Sequence, residues 1–230
     1  MKFVKFLIAL ALLPALVAIG RFTYYTTASC LALQDKIPWM TIFCLGLGFS
    51  TMVSVYFALP RWNLLYVFGH ETTHALAVLV SGGRVSGFKV GSGGGHVVTD
   101  TLSAWTALAP YIIPFYPAAT GIAWFILRLF WPQADSWEWA FLIFWGATWG
   151  FHFCFTASLL KTEQPDFASQ GYVFSFVVIL ASNMLILCAL LWIWLQPEKW
   201  REGLWTLWDY TVFYYQFCAA QCRALYRLAF

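Results

Sequence analysis

The chain has 230 residues, of which 61% are apolar, 20% are aromatic and only 10% are charged. A soluble domain carries about 25% charged residues, so a soluble protein of this size would expose more apolar surface than water tolerates. The net charge of +3 is scattered along the chain, which excludes the basic patch of a nucleic-acid-binding protein. The composition therefore predicts a protein that resides in a membrane.

Long apolar runs predict the first membrane spans. Residues 1–20 begin with two lysines and continue as an apolar run, which predicts a signal anchor or a first spanning helix. Residues 21–38 are more polar and are predicted to form a connecting loop. Residues 39–59 form a second run of spanning length, because about 20 residues cross the hydrocarbon core.

The third predicted helix, over residues 62–80, differs from the others because it carries ionisable residues in its interior. These are His70, Glu71 and His74. The helix is predicted to end at the pair of glycines immediately after it. Residues 84–99 mix valines with many glycines, which predicts two short strands around a glycine-rich turn.

The rest of the chain predicts three further spans and a tail. Residues 103–131 are apolar but interrupted by prolines, which predicts a bent or re-entrant start. Two more spans are predicted over residues 137–160 and 171–195, and residues 197–230 resemble an interfacial amphipathic helix. The predicted fold is an all-α polytopic membrane protein of about six transmembrane helices with a small β-hairpin, forming a single membrane-embedded domain over residues 1–230.

The motif His70-Glu71-Thr72-Thr73-His74 is the strongest functional signal. Two histidines four residues apart lie on one face of a helix, where their imidazoles can share a metal ion. Glu71 points to the side of the pair, where it can take a proton from a metal-bound water. At membrane depth such groups must be paired or bind a metal, since one charge at the bilayer centre costs roughly 2.5–3.5 kcal/mol.

A zinc site needs a third protein ligand. The candidates are Asp166 and Glu163 in the polar connector, His152 in a predicted span, and His96 and Asp100 in or near the hairpin. We prefer Asp166, because it lies just before the final span and can reach back toward the metal. Its alternative interpretation is an ordinary loop carboxylate or a helix cap.

Four residues are candidates for a catalytic or substrate-binding role. His152 has three interpretations: a metal ligand, an oxyanion stabiliser with a catalytic role, or a histidine packed in the core. Gly94 and His96 belong to the hairpin, which we expect to add a strand to an extended substrate, and His96 also has a structural interpretation. Asn183 donates a hydrogen bond either to substrate or to a neighbouring helix.

The motif helix and the hairpin segment after it resemble the site-2 protease family of intramembrane zinc metallopeptidases. That family typically shows a His-Glu-x-x-His helix, then two glycines and a short membrane-associated hairpin. The stretch over residues 68–76, with Ser-Gly-Gly-Arg-Val at residues 81–85, shows both features in this order. Ala109-Pro110 resembles the proline-bearing segment of the family, and residues 162–166 best match the segment that carries its aspartate ligand.

The resemblance covers residues 62–185 and implies an intramembrane endopeptidase with Zn²⁺ as cofactor. It implies that His70, His74 and Asp166 hold the metal and that Glu71 activates water. The residue after Asp166 is not the glycine of the usual family signature, and no PDZ-like domain is expected, so the chain resembles a compact, divergent member. The expected partners are a membrane protein or peptide substrate and the lipid bilayer, and the expected location is the bacterial inner (cell) membrane.

Two other functions remain open from the sequence. The same residues suit a non-catalytic membrane protein that keeps the metal as a structural or regulatory element. They also suit a transporter whose intramembrane acid and histidines form an ion or proton path. A transporter predicts paired internal repeats, and the sequence shows none.

Overall fold

The computed structural model describes residues 2–32, 39–59, 63–160, 164–195 and 200–229, which are mostly helical with one small hairpin. The helices are α1 (Lys2–Ala32), α2 (Trp39–Ala58), α3 (Asn63–Val80), α4 (Ala104–Ile112), α5 (Phe115–Phe130), α6 (Glu138–Leu159), α7 (Pro165–Gln170), α8 (Tyr172–Leu195) and α9 (Trp200–Ala229). A 3-10 helix, Pro132–Trp137, precedes α6, and the strands are β1 (Val85–Gly91) and β2 (Gly94–Thr99).

Four of the described helices are long and apolar enough to cross a membrane. They are α1, α2, α6 together with its preceding turn, and α8. A fifth candidate is the pair α4 and α5, which bends by 69° at the break around Pro114, and this confirms the bend predicted from the prolines. The predicted count of six is not confirmed, because the ionisable residues of α3 lower its hydropathy below that of a clear span.

Helix α1 is longer than the sequence predicts. The prediction of a loop is wrong for residues 21–32, which continue the helix, whereas residues 33–38 lie outside the described part of the chain. Residues 21–32 contain no glycine or proline that would end a helix. The Thr23 and Thr27 hydroxyls donate to carbonyls one turn earlier, so these polar side chains are satisfied within the helix.

The described chain divides into two compact units, one made of residues 1–37 and 170–230 and the other of residues 38–169. In the first unit, α1 packs against both α8 and α9. The Tyr215 hydroxyl of α9 donates to the Ala11 carbonyl of α1. The single domain over residues 1–230 and the interfacial position of residues 197–230 stay predictions.

In the second unit, α2 and α6 pack closely through glycines. A Cβ atom added at Gly48 would lie 1.8 Å from the Ile143 carbonyl oxygen, and one added at Gly146 would lie 2.2 Å from the Leu45 carbonyl oxygen. Small residues of this kind let helix backbones approach within a membrane, where van der Waals packing replaces the hydrophobic effect.

The hairpin follows α3 in the sequence, and both of its strands pack against that helix. Gly82 has a φ of +75°, which a glycine adopts without strain, and the Gly83 N–H donates to the Val78 carbonyl. The two strands are antiparallel, with Phe88 opposite Val97. The predicted hairpin after the third helix is therefore confirmed.

Large apolar side chains remain exposed along the candidate spans. Examples are Phe43 on α2, Phe144 on α6 and Phe176 on α8, all at least half exposed. Such a surface would be costly in water but is solvated by lipid tails. The outer faces of these helices therefore suit a membrane.

Candidate metal centre

Helix α3 brings the two motif histidines together. The Nε2 atoms of His70 and His74 lie 3.2 Å apart, and their rings meet edge to face with centroids separated by 4.8 Å. This is the arrangement that residues one turn apart adopt when both imidazoles point to the same place.

The third member of the cluster is Asp166, in the first turn of α7. Its Oδ2 atom lies 3.5 Å from the Nε2 atom of His70 and 3.5 Å from that of His74. The structure therefore brings together the three residues that the sequence predicts as metal ligands. Their ligation of a metal stays a prediction.

The spacing of the three atoms fits a zinc ion. Ligand atoms roughly 2.0–2.2 Å from a tetrahedral zinc lie roughly 3.3–3.6 Å from one another. The three separations of 3.2, 3.5 and 3.5 Å match this triangle closely. Two imidazoles and one carboxylate are a donor set that zinc accepts, and a zinc ion held by them would have three protein ligands, the number usual in catalytic zinc sites.

Each histidine is oriented by a partner on its other ring nitrogen. The Nδ1 atom of His74 lies 2.7 Å from the Thr106 carbonyl oxygen, which can only accept, so Nδ1 carries a proton and, in the neutral ring, Nε2 keeps its lone pair. The Nδ1 atom of His70 lies 2.7 Å from the Tyr66 hydroxyl. Outer partners of this kind orient the histidine ligands of metal sites.

The Asp166 carboxylate is held as an anion. Burial alone would raise its pKa, but interactions with His70 and His74 and a hydrogen bond from the Tyr111 hydroxyl outweigh burial and leave the pKa below its ordinary value. An ionised carboxylate is the form that binds a metal cation.

Glu71 lies beside the cluster and is itself buried, with 7% of its surface exposed. It borders a cavity of about 420 Å³. The cavity is also lined by His70, His74 and Asp166, by Gly95, His96, Val97 and Thr99 of the hairpin, and by Val78, Leu102, Thr106, Ala107, Gln164, Pro165 and Ser169. A carboxylate that faces such a space next to three potential ligands is well placed to act on a molecule bound there.

The hairpin candidates lie at different places relative to this cavity. His96 is exposed, pairs with Lys89 across the hairpin and borders the cavity, whereas Gly94 occupies the turn with a φ of +129°. Their roles in substrate binding stay predictions.

His152 borders a second, smaller cavity of about 30 Å³, which it shares with His70, Tyr66 and Thr156. That volume has room for about one water molecule. Among the described residues, His152 is not part of the cluster of His70, His74 and Asp166. Its catalytic role stays a prediction.

Three candidates remain. The Asp100 carboxylate accepts hydrogen bonds from the Arg84 backbone N–H and the Thr101 hydroxyl at the base of the hairpin. Asn183 belongs to the other unit, where its side-chain amide donates to the Ile179 carbonyl of its own helix. Glu163 lies outside the described residues.

Three residues that contact the cluster were not identified from the sequence. Tyr66 precedes His70 by four residues, so helical spacing alone could have placed it beside the imidazole. Thr106 and Tyr111 belong to α4 and reach the cluster only through tertiary packing. No sequence pattern marks them.

Comparisons of the chain with models of known protein families, with curated proteins and with solved structures find no match. Only the sequence motif and the arrangement of the side chains therefore bear on function.

Proposed function

We propose that this chain is a zinc-dependent endopeptidase that cleaves peptide bonds of membrane-associated substrates, as a compact protein similar to site-2 proteases. One observation carries the proposal. The Nε2 atoms of His70 and His74 and the Oδ2 atom of Asp166 converge at separations that suit zinc, beside the buried carboxylate of Glu71.

The residues of the cluster have separate roles in this proposal. His70, His74 and Asp166 hold the zinc ion, which when bound supplies the Lewis acidity that polarises a carbonyl and lowers the pKa of a water molecule. Glu71 takes the proton from the attacking water and returns it to the departing amine nitrogen of the cleaved peptide. Glu71 is buried, with 7% of its surface exposed, and it borders the cavity in which the attacking water would be held.

The cavity between β2 and α3 is the proposed binding site of the substrate. Gly95, His96, Val97 and Thr99 of β2 border the cavity that Glu71 also borders. A peptide bond within a helix is sterically shielded, so the substrate must be extended at the point of cleavage. An extended segment can pair with a strand edge through backbone hydrogen bonds, and β2 offers one.

We also propose that α3 crosses the membrane, which brings the number of spans to six when the bent pair of α4 and α5 is counted as one. The chain would then be an integral, multi-pass protein of a cell membrane. Helix α3 has 18 residues, which is close to the length that crosses the hydrocarbon core. Ionisable residues at membrane depth face the protein interior or a cavity, and His70, Glu71 and His74 all border the same cavity.

The catalytic role of Glu71 is tested with Glu71→Gln. We expect full zinc content and a fall of roughly 10²–10⁴-fold in turnover of a fluorogenic peptide with one apolar helix, because general base catalysis contributes about that much. Glu138→Gln, an exposed position at the start of α6, is the matched control. Unchanged turnover in Glu71→Gln would exclude Glu71 as the base. A wild type that binds zinc but cleaves no peptide would favour a non-catalytic metal protein.

The ligand set is tested by elemental analysis of protein prepared without chelators. We expect about one zinc ion in the wild type and in His152→Ala, and loss of zinc in His74→Ala and Asp166→Ala. Full zinc content in Asp166→Ala would exclude Asp166 as the third ligand and make His152 the preferred candidate for that role. A wild type without bound metal would overturn the proposed enzyme.

A further inference from the structure

Helix α4 contacts two of the three proposed ligands, one near each of its ends. Thr106, in its first turn, accepts a hydrogen bond from the Nδ1 atom of His74 through its backbone carbonyl. Tyr111, in its last turn, donates from its hydroxyl to the Oδ2 atom of Asp166 at 2.8 Å. This short helix therefore holds together groups that come from α3 and from α7.

Tyr111 is the most enclosed of these partners, with 1% of its surface exposed. Its ring lies against Phe167, with centroids 4.5 Å apart, and edge-on to His70, with centroids 5.2 Å apart. The ring therefore cannot turn away without disturbing neighbours on both sides. A buried tyrosine hydroxyl needs a hydrogen-bond partner, and a bond to a carboxylate is stronger than a bond between neutral groups.

Tyr111 donates to the same oxygen of Asp166 that is proposed to bind the metal. Oδ2 of Asp166 is also the atom that lies 3.5 Å from both histidine Nε2 atoms. Asp166 is 55 residues from Tyr111 in the sequence and belongs to a helix of only six residues. Without the Tyr111 hydroxyl, the carboxylate loses a bond that holds this oxygen toward the histidines.

We propose that Tyr111 is a positioning residue that orients Asp166 as the third zinc ligand and thereby sets the affinity for zinc. The inference rests on the proposed function, because it takes zinc as the metal and Asp166 as a ligand. Tyr111 acts through Asp166 and does not itself touch the metal or the substrate.

The first test is the zinc dissociation constant of Tyr111→Phe, measured by competition with a chromogenic chelator. We expect it to rise about 10–100-fold, the usual effect of removing an outer partner of a metal ligand. Tyr116→Phe is the control, because it removes the hydroxyl of a half-buried tyrosine that donates to the Leu65 carbonyl and not to a proposed ligand. Its zinc affinity should equal that of the wild type, and thermal unfolding without metal checks that both variants fold.

The second test asks whether Tyr111 acts through Asp166. Zinc affinity is measured for Asp166→Ala with and without Tyr111→Phe, which completes a double-mutant cycle. Both proteins are titrated with added zinc, because the two remaining histidines are expected to bind it too weakly to retain it through purification. We expect Tyr111→Phe to have no further effect once Asp166 is absent. A purely structural role would instead weaken zinc binding by the same factor in both backgrounds, and that result would overturn the inference.

The outcomes separate this inference from the proposed function. A wild type that binds no zinc would overturn both. A wild type that binds zinc, together with an unchanged dissociation constant in Tyr111→Phe, would overturn the role of Tyr111 and leave the proposed peptidase intact.

Discussion

The backbone of Gly95 lies directly against the side chain of Glu71. A Cβ atom added at Gly95 would lie 2.6 Å from Cγ of Glu71, and also 2.6 Å from the Lys89 carbonyl oxygen and 2.8 Å from Cγ1 of Val67. Distances below 3.0 Å are not tolerated, so only glycine fits at this point of β2. Strand β2 therefore sets the position of the proposed general base.

This contact predicts that Gly95→Ala slows cleavage without removing zinc. The added methyl group must push aside either Glu71 or the strand, and a displacement of about 1 Å in a catalytic group can cost roughly 10²-fold in rate. Turnover of the fluorogenic peptide and zinc content, measured on the same preparation, test this expectation.

Gly93→Ala provides the control for this substitution. Gly93 belongs to the same hairpin, but a Cβ atom there would meet nothing within 4 Å. We expect nearly wild-type turnover in Gly93→Ala. Equal losses in the two variants would mean that the hairpin responds to any added methyl group and that the contact with Glu71 is not decisive.

The close packing of α2 on α6 predicts that Gly48→Ala destabilises the protein. The methyl group would lie 1.8 Å from the Ile143 carbonyl oxygen, so the two helices must separate. Forcing extra atoms into a packed interface costs about 1–3 kcal/mol, and we expect the free energy of unfolding in detergent micelles to fall by that amount.

Gly46→Ala is the matched control on the same helix. A Cβ atom at Gly46 would meet nothing within 4 Å, and alanine favours a helix over glycine by about 0.5–1 kcal/mol. This variant should therefore be at least as stable as the wild type. Comparable destabilisation by both substitutions would contradict the close approach of α2 and α6.

The base of the hairpin should loosen at low pH through Asp100. Hydrogen bonds from the Arg84 backbone N–H and the Thr101 hydroxyl lower the pKa of Asp100 below its ordinary value. The stabilisation is therefore complete above the ordinary aspartate pKa and is lost as the pH falls through the lowered one.

Amide hydrogen exchange at Arg84, measured as a function of pH, reports this loosening. After correction for the intrinsic rate, protection should fall in the acid range in the wild type. In Asp100→Asn the neutral amide can still accept a hydrogen bond, so protection should be weaker but independent of pH. A pH-independent wild type would exclude this role of Asp100.

The local features of this protein can be predicted from its sequence, because they depend on neighbours along the chain. Helical spacing places the imidazoles of His70 and His74 together, and glycines mark both the end of α3 and the hairpin. The apolar runs indicate the helices that suit a membrane. The predicted end of the first helix near residue 20 was wrong, because no glycine or proline follows and α1 continues to Ala32.

Tertiary packing alone decides which distant groups meet. Five residues remained open from the sequence as the third ligand, and only the approach of α7 to α3 brings Asp166 within 3.5 Å of both imidazoles. The contacts of Thr106, Tyr111 and Gly95 depend on the same packing. Hydropathy and helical periodicity describe one segment at a time, whereas these contacts join segments separated by tens of residues, so their geometry exists only in the folded chain.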